Sequence, residues 1–115
     1  MRPPMRGLQC AVLLAGLIAG TAAFAAGADP VAERMLQTQT ASGGWPKHLD
    51  GKAIDYAAPF NDAASAALAQ ADRADDATID NDATTREIAH LADAWRAHGD
   101  TRYRDAAVRG VDYLL

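Results

Sequence analysis

Two apolar stripes separated by a very short link constrain this chain most. Ile88, Leu91, Ala92 and Trp95 recur at helical steps, and so do Tyr103, Ala106, Ala107, Gly110, Val111 and Leu114. That period marks two amphipathic helices. His98-Gly99 supplies a glycine stop for the first, and Asp100-Thr101 starts the second. A connection this short makes the helices antiparallel neighbours. The small residues of the second stripe allow close approach. Thr84 or Thr85 caps the first helix, with Glu87 in its first turn.

Further helices are expected upstream. Asp29-Pro30 reads as an N-cap followed by the first helical position. The helix it opens runs to about Thr40, with Val31, Met35 and Leu36 on one side. From Asn61 or Asp62 to about Ala74 the chain is alanine-rich, which favours helix. Leu68 is its only large apolar residue, so this helix has little to bury. Between the two, His48 to Phe60 has no clear period, although Asp50-Gly51 is a turn signal. No segment alternates with period two as a strand would. The fold class expected is all-α, built from helical hairpins. The second stripe ends at Tyr113-Leu114-Leu115 on its apolar face without a C-cap. The sequence is therefore expected to be a fragment of a larger helical domain.

The amino terminus stands apart. Met1 to Cys10 carries Arg2 and Arg6 and no acid, Ala11 to Gly20 is uninterrupted and apolar, and Thr21 to Ala26 is rich in small residues. This is the layout of a secretory signal peptide, and its apolar core is short for a membrane span. Residues 1–25 are assigned to the signal and 26–115 to the mature chain, secreted or periplasmic, with no membrane contact after cleavage. Cys10 leaves with the signal, so no disulfide supports the fold. The net charge is −4 over 115 residues. An acidic mature chain argues against nucleic acid as a partner.

Two stretches carry candidate chemistry. Asp75-Asp76-Ala77-Thr78-Ile79-Asp80-Asn81-Asp82-Ala83-Thr84-Thr85 concentrates oxygen side chains between two helical segments. Such residues cap helices and form turns, and they also suit a hard cation such as Ca²⁺. The stretch lacks the glycine and terminal glutamate of an EF-hand. The second is Gly43-Gly44-Trp45-Pro46-Lys47. The glycines break the first helix, and Pro46 restricts Trp45 to extended conformations. The Trp45 ring either plugs the end of a helix bundle or walls a sugar-binding cleft beside Lys47. His48, His90 and His98 have no zinc spacing, and the sequence offers no phosphate loop and no nucleophile elbow.

Together, Gly43-Gly44-Trp45-Pro46-Lys47, the acidic stretch, the following helix and Gly99-Asp100-Thr101-Arg102-Tyr103 resemble the amino-terminal portion of a family 10 polysaccharide lyase, a pectate lyase. The resemblance covers about Val31 to Leu115. It implies a partial α/α toroid and β-elimination in polygalacturonate with Ca²⁺ between protein and substrate carboxylate. It places metal ligands at Asp80 and Asn81; the turn itself, with a flat ring and a cation that suit an acidic sugar, suggests Trp45 and Lys47 for substrate. It supplies no catalytic residue within this chain, since the arginine that acts as base is expected beyond Leu115. Position 82, commonly glycine in the motif, is Asp here, either as a third ligand or as a solvated substitute. Asp75 and Asp76 read as turn and capping residues. Two alternatives stand beside this. Gln39-Thr40-Ala41-Ser42-Gly43-Gly44-Trp45 fits Q-x-x-x-G-x-W, a structural turn of squalene-cyclase-like toroids. A secreted, non-catalytic helical module that binds carbohydrate or a partner is the other.

Overall fold

A computed structural model describes residues 28–70 and 75–115; the signal-peptide assignment lies outside them. The described residues form four α-helices, a small hairpin and one 3₁₀ turn: α1 (Pro30–Thr38), β1 (His48–Leu49), β2 (Lys52–Ala53), α2 (Asp62–Ala69), the 3₁₀ turn (Asp80–Asp82), α3 (Thr85–His98) and α4 (Thr101–Leu114). The all-α expectation holds. None of these helices is long and apolar enough to cross a membrane.

Helices start where the sequence places them. The Asp29 carboxylate accepts the Ala32 N–H at 3.1 Å, and Pro30 follows it. Asn61 caps α2 by accepting the Ala64 N–H at 2.8 Å. Gly99 ends α3 at φ 72, its N–H donating to the Trp95 carbonyl at 2.7 Å. Asp100 then caps α4 through the Arg102 N–H. Helix α2 buries no residue, as its alanine-rich composition led us to expect.

The core lies where α1, α3 and α4 meet. It contains Ala32, Met35, Trp45, Tyr56, Leu91, Ala94, Tyr103, Ala106 and Ala107. Tyr103 ties α4 to the start of α1: its hydroxyl donates to Glu33 at 2.5 Å and accepts the Asp29 N–H at 3.1 Å. Gly110 marks the closest approach. A Cβ there would stand 2.7 Å from both Ile88 Cγ1 and Trp45 Cζ3.

Three details differ from the sequence reading. The inward face of α3 is Glu87, Leu91 and Ala94, whereas Trp95 is 39 % exposed. The buried side includes Glu87, whose desolvation is offset by three hydrogen bonds to its carboxylate. Val111 and Leu114 at the end of α4 are exposed. The segment after Lys47 holds the antiparallel pair β1–β2, with His48 facing Ala53 and Leu49 facing Lys52. Its turn is Asp50-Gly51, with φ 54 and 75, the positive pair that two-residue hairpins require. Strands of two residues give no alternation to detect.

Candidate active-site loop

The turn after α1 is built first. The Gln39 side-chain amide donates to the Gly43 carbonyl at 2.8 Å and to the Ala106 carbonyl of α4 at 2.9 Å. Gly43 has φ 99, and a Cβ on it would come within 2.4 Å of the Arg109 carbonyl oxygen. Only glycine fits so close to a backbone with that φ. Gln39 and Gly43 of the Q-x-x-x-G-x-W pattern thus fasten the end of α1 to α4.

Trp45 follows with no exposed surface. Its indole N–H donates to the Met35 carbonyl at 2.8 Å, which satisfies the polar edge of the ring. This corrects one expectation: the Trp45 ring is a core plug and offers no face on which a sugar could stack. A ring with a satisfied N–H and an apolar body is most stable inside, and Gly110 leaves room for it.

The backbone of Trp45 organises the acidic stretch. Its N–H donates to Thr84 Oγ1 at 2.9 Å, and its carbonyl accepts the Thr78 N–H at 3.0 Å. Thr84 Oγ1 in turn donates to the Thr78 carbonyl at 2.8 Å. The two ends of the segment from Thr78 to Thr84 are therefore pinned to one residue. Beneath them lies Glu87, fully buried. Its carboxylate accepts the Thr84 N–H at 2.7 Å, the Tyr56 hydroxyl at 2.7 Å and Arg86 Nε at 2.9 Å. Burial first, and then the Glu87 charge, push the Tyr56 phenol well above its ordinary range.

On this base the tip of the loop is exposed. Asp80, Asn81 and Asp82 form the 3₁₀ turn. Asn81 and Asp82 have φ 51 and 65, the left-handed region that Asn and Asp tolerate better than other non-glycine residues. Position 82 is thus one whose backbone suits glycine. The Asp80 side chain, 59 % exposed, is ion-paired with Lys47 Nζ. The hydrogen bond and charge of Lys47 hold its carboxyl below the usual aspartate range.

The sequence-predicted residues therefore divide. Lys47 and Asp80 are paired at the exposed tip that also carries Asn81, while Trp45 stands behind it in the core. Asp75 clasps the preceding turn, its two oxygens accepting Ser42 N–H and Ser42 Oγ–H at 3.0 Å each. Tyr113 of α4 donates to the Ala77 carbonyl at 2.9 Å. Among the described residues, no three His, Cys, Asp or Glu side chains converge as a metal cage. Asp80 and Asn81 bring an exposed carboxylate and an exposed carboxamide to the tip, oxygen donors of the type that Ca²⁺ takes.

In the sequence Glu87 shows only as a helix-start residue, Thr78 only as one oxygen side chain of the acidic stretch, and Tyr56 not at all. The spacing of Thr84 and Glu87 was the available signal for the first. Tyr56 had none, because its partner is distant in sequence.

The family model for pectic acid lyase matches residues 39–115, which takes in the turn, the acidic loop and both helices of the α3–α4 hairpin. No curated protein and no solved structure gives a match.

Proposed function

This chain belongs to the pectic acid lyase family, and from that premise we propose that it supplies the cation-binding side of a calcium-dependent β-elimination in polygalacturonate. The observation that carries the reading is the exposed Asp80–Asn81 pair, set on a fully buried base beside Lys47.

Asp80 and Asn81 would hold the ion. A divalent cation lowers the cost of charge building on the substrate carboxylate when the adjacent proton leaves. The chain's own residues do the placing. The carboxylate of Asp80 and the amide oxygen of Asn81 face solvent, where a polymer has access. Lys47 offers an ammonium two residues after the buried Trp45, suited to a second uronate carboxylate.

The proton-abstracting arginine is assigned outside this loop. Every arginine among the described residues is hydrogen-bonded to another group: Arg34 to Tyr56, Arg86 to Glu87, Arg96 to Asp93, Arg102 to Glu33 and Asp100, Arg104 to Asp105 and Arg109 to Gln39. The reading includes export, with the mature chain starting near Ala26, which amino-terminal sequencing of secreted material checks.

The test is to add polygalacturonate to the full-length gene product and follow the unsaturated product in the near ultraviolet. Asp80→Ala loses most of the rate and regains part of it at high Ca²⁺, and Asn81→Ala does so more mildly. An Asp80→Ala enzyme with the parent's turnover and calcium half-saturation removes the assignment. The structural role of Gln39 and Gly43 agrees with a toroid turn and does not compete with the lyase reading.

A further inference from the structure

We infer that Thr84 is a positioning residue that holds the Asp80–Asn81 loop in its cation-receptive shape. The inference rests on the reading that this loop takes a divalent cation, and adds what keeps it ready.

Thr84 adopts φ 73 and ψ −51. A β-branched residue at positive φ is strained and persists only where its surroundings over-determine it. Here they do. Thr84 is fully buried, its N–H is taken by Glu87, and its hydroxyl accepts from Trp45 and donates to Thr78. Both hydroxyl functions are used, one toward Trp45 and one toward Thr78 at the far end of the loop. The Thr78 N–H returns to the Trp45 carbonyl, so Trp45, Thr78 and Thr84 form a closed ring of hydrogen bonds.

Only the tip escapes that ring. Ile79, Asp80, Asn81 and Asp82 are exposed, while Ala83 and Thr84 are fully buried. The tip carries two left-handed residues of its own, Asn81 and Asp82, three local bonds, Asp80 N–H to Thr78 Oγ1, Ala83 N–H to the Asp80 carbonyl and Thr85 Oγ1–H to the Asp82 carbonyl, and the ion pair of Asp80 with Lys47. A tip with such a backbone relaxes if its ends separate. Loss of the Thr84 hydroxyl removes the tie between Thr78 and Thr84 and orphans the buried Trp45 N–H. The donors at Asp80 and Asn81 stay present but lose their fixed relation, and outer supports of this kind typically tune metal affinity by about 10- to 100-fold.

The experiment measures Ca²⁺ binding alone by calorimetry on the full-length protein, with thermal melts beside it. Thr84→Val keeps the shape and deletes both hydrogen bonds. Thr84→Gly relieves the positive φ, so it folds without that strain, and also lacks the hydroxyl. Thr84→Ser keeps the hydroxyl. The expected result is a calcium dissociation constant raised about tenfold or more in Thr84→Val and Thr84→Gly, and restored to within about threefold of the parent in Thr84→Ser. A general loss of stability moves the melt and leaves the affinity of the folded protein in place, so parent-like affinity in either Thr84→Val or Thr84→Gly overturns the proposal. Asp80→Ala separates this from failure of the site itself. If Asp80→Ala binds calcium like the parent, the loop is not the cation site and both readings fall. If Asp80→Ala loses calcium while Thr84→Gly retains it, the positioning role alone falls.

Discussion

Gly110→Ala sets two effects of opposite sign against each other. Alanine is favoured over glycine inside a helix by about 1 kcal/mol, and Gly110 is well inside α4. Judged by propensity, the change stabilises. Packing opposes it. The new Cβ would lie 2.7 Å from Ile88 Cγ1, 2.7 Å from Trp45 Cζ3 and 3.1 Å from Ile88 Cδ1. Ile88 is half-buried and can twist about 30° off its rotamer for about 0.5–1.5 kcal/mol. Trp45 cannot yield as cheaply, because its indole N–H, backbone N–H and carbonyl are all bonded. Overpacking of this kind costs about 1–3 kcal/mol. The packing term offsets or outweighs the gain, leaving a net loss of about 0–2 kcal/mol. For a domain of this size each kcal/mol moves the melt by about 4–8 °C. Circular-dichroism melts of parent, Gly110→Ala, Ile88→Ala and the double variant measure it. In the cycle, Ile88→Ala costs less on the Gly110→Ala background than on the parent, since it removes part of the clash. A higher melting temperature for Gly110→Ala would falsify the close approach of α4 to Trp45 and α3.

Three further outcomes follow from the loop and its clasp. Hydrogen bonds from Thr40 and Ser42 hold the Asp75 carboxyl below its ordinary range; a depressed folded value adds stability above about pH 3.9 that is lost as pH falls through the folded pKa. Asp75→Ala therefore flattens the acid limb of melting temperature against pH and leaves calcium dependence unchanged, whereas an unaltered acid limb rules out the clasp. Asp82→Gly is neutral or stabilising by up to about 1 kcal/mol, and Asp82→Ala destabilises by about 1–2 kcal/mol, because φ 65 is a glycine-like position; equal urea midpoints would show that the backbone does not set the preference. Lys47→Met lowers the calcium half-saturation concentration by about two- to fivefold, since the ammonium now paired with Asp80 competes with the ion; a rise on calorimetric titration counts against Asp80 as the ligand.

Local chemistry was the legible part of the sequence. Asp29-Pro30, Asn61, Gly99 and Asp100 mark their helix ends through their own side chains or backbone freedom, so no distant partner is needed to read them. The first part of the α4 stripe, Tyr103, Ala106, Ala107 and Gly110, is buried as its apolar and small residues indicate, whereas Val111 and Leu114 are exposed. The face of α3 was not legible in this way, since it turns on Glu87, whose burial depends on Tyr56 and Arg86 supplying donors. Period reading counts apolar residues and so assigned that place to Trp95. Trp45 was open between core and cleft for a related reason. Nothing in Gly43-Gly44-Trp45-Pro46 indicates that the Met35 carbonyl is free to take the indole N–H.

That burial changes the chemical meaning of the glycine-tryptophan turn. With the ring inside, the residue reaches the surface only through its neighbours. Its amide and carbonyl fasten Thr84 and Thr78, and the chain emerges at Lys47 after the buried Pro46. One anchored residue thus fixes both members of the Lys47–Asp80 pair, although 33 positions separate them. The aromatic ring contributes to the site as a foundation: it sets where an ammonium and a carboxylate meet. In the proposed reaction the two groups have separate duties, Asp80 toward the cation and Lys47 toward the polymer. Their pairing would neutralise both until a cation took the carboxylate and left the ammonium free for a uronate. A smaller plug at position 45 would therefore disturb cation and polymer binding together, although the ring touches neither.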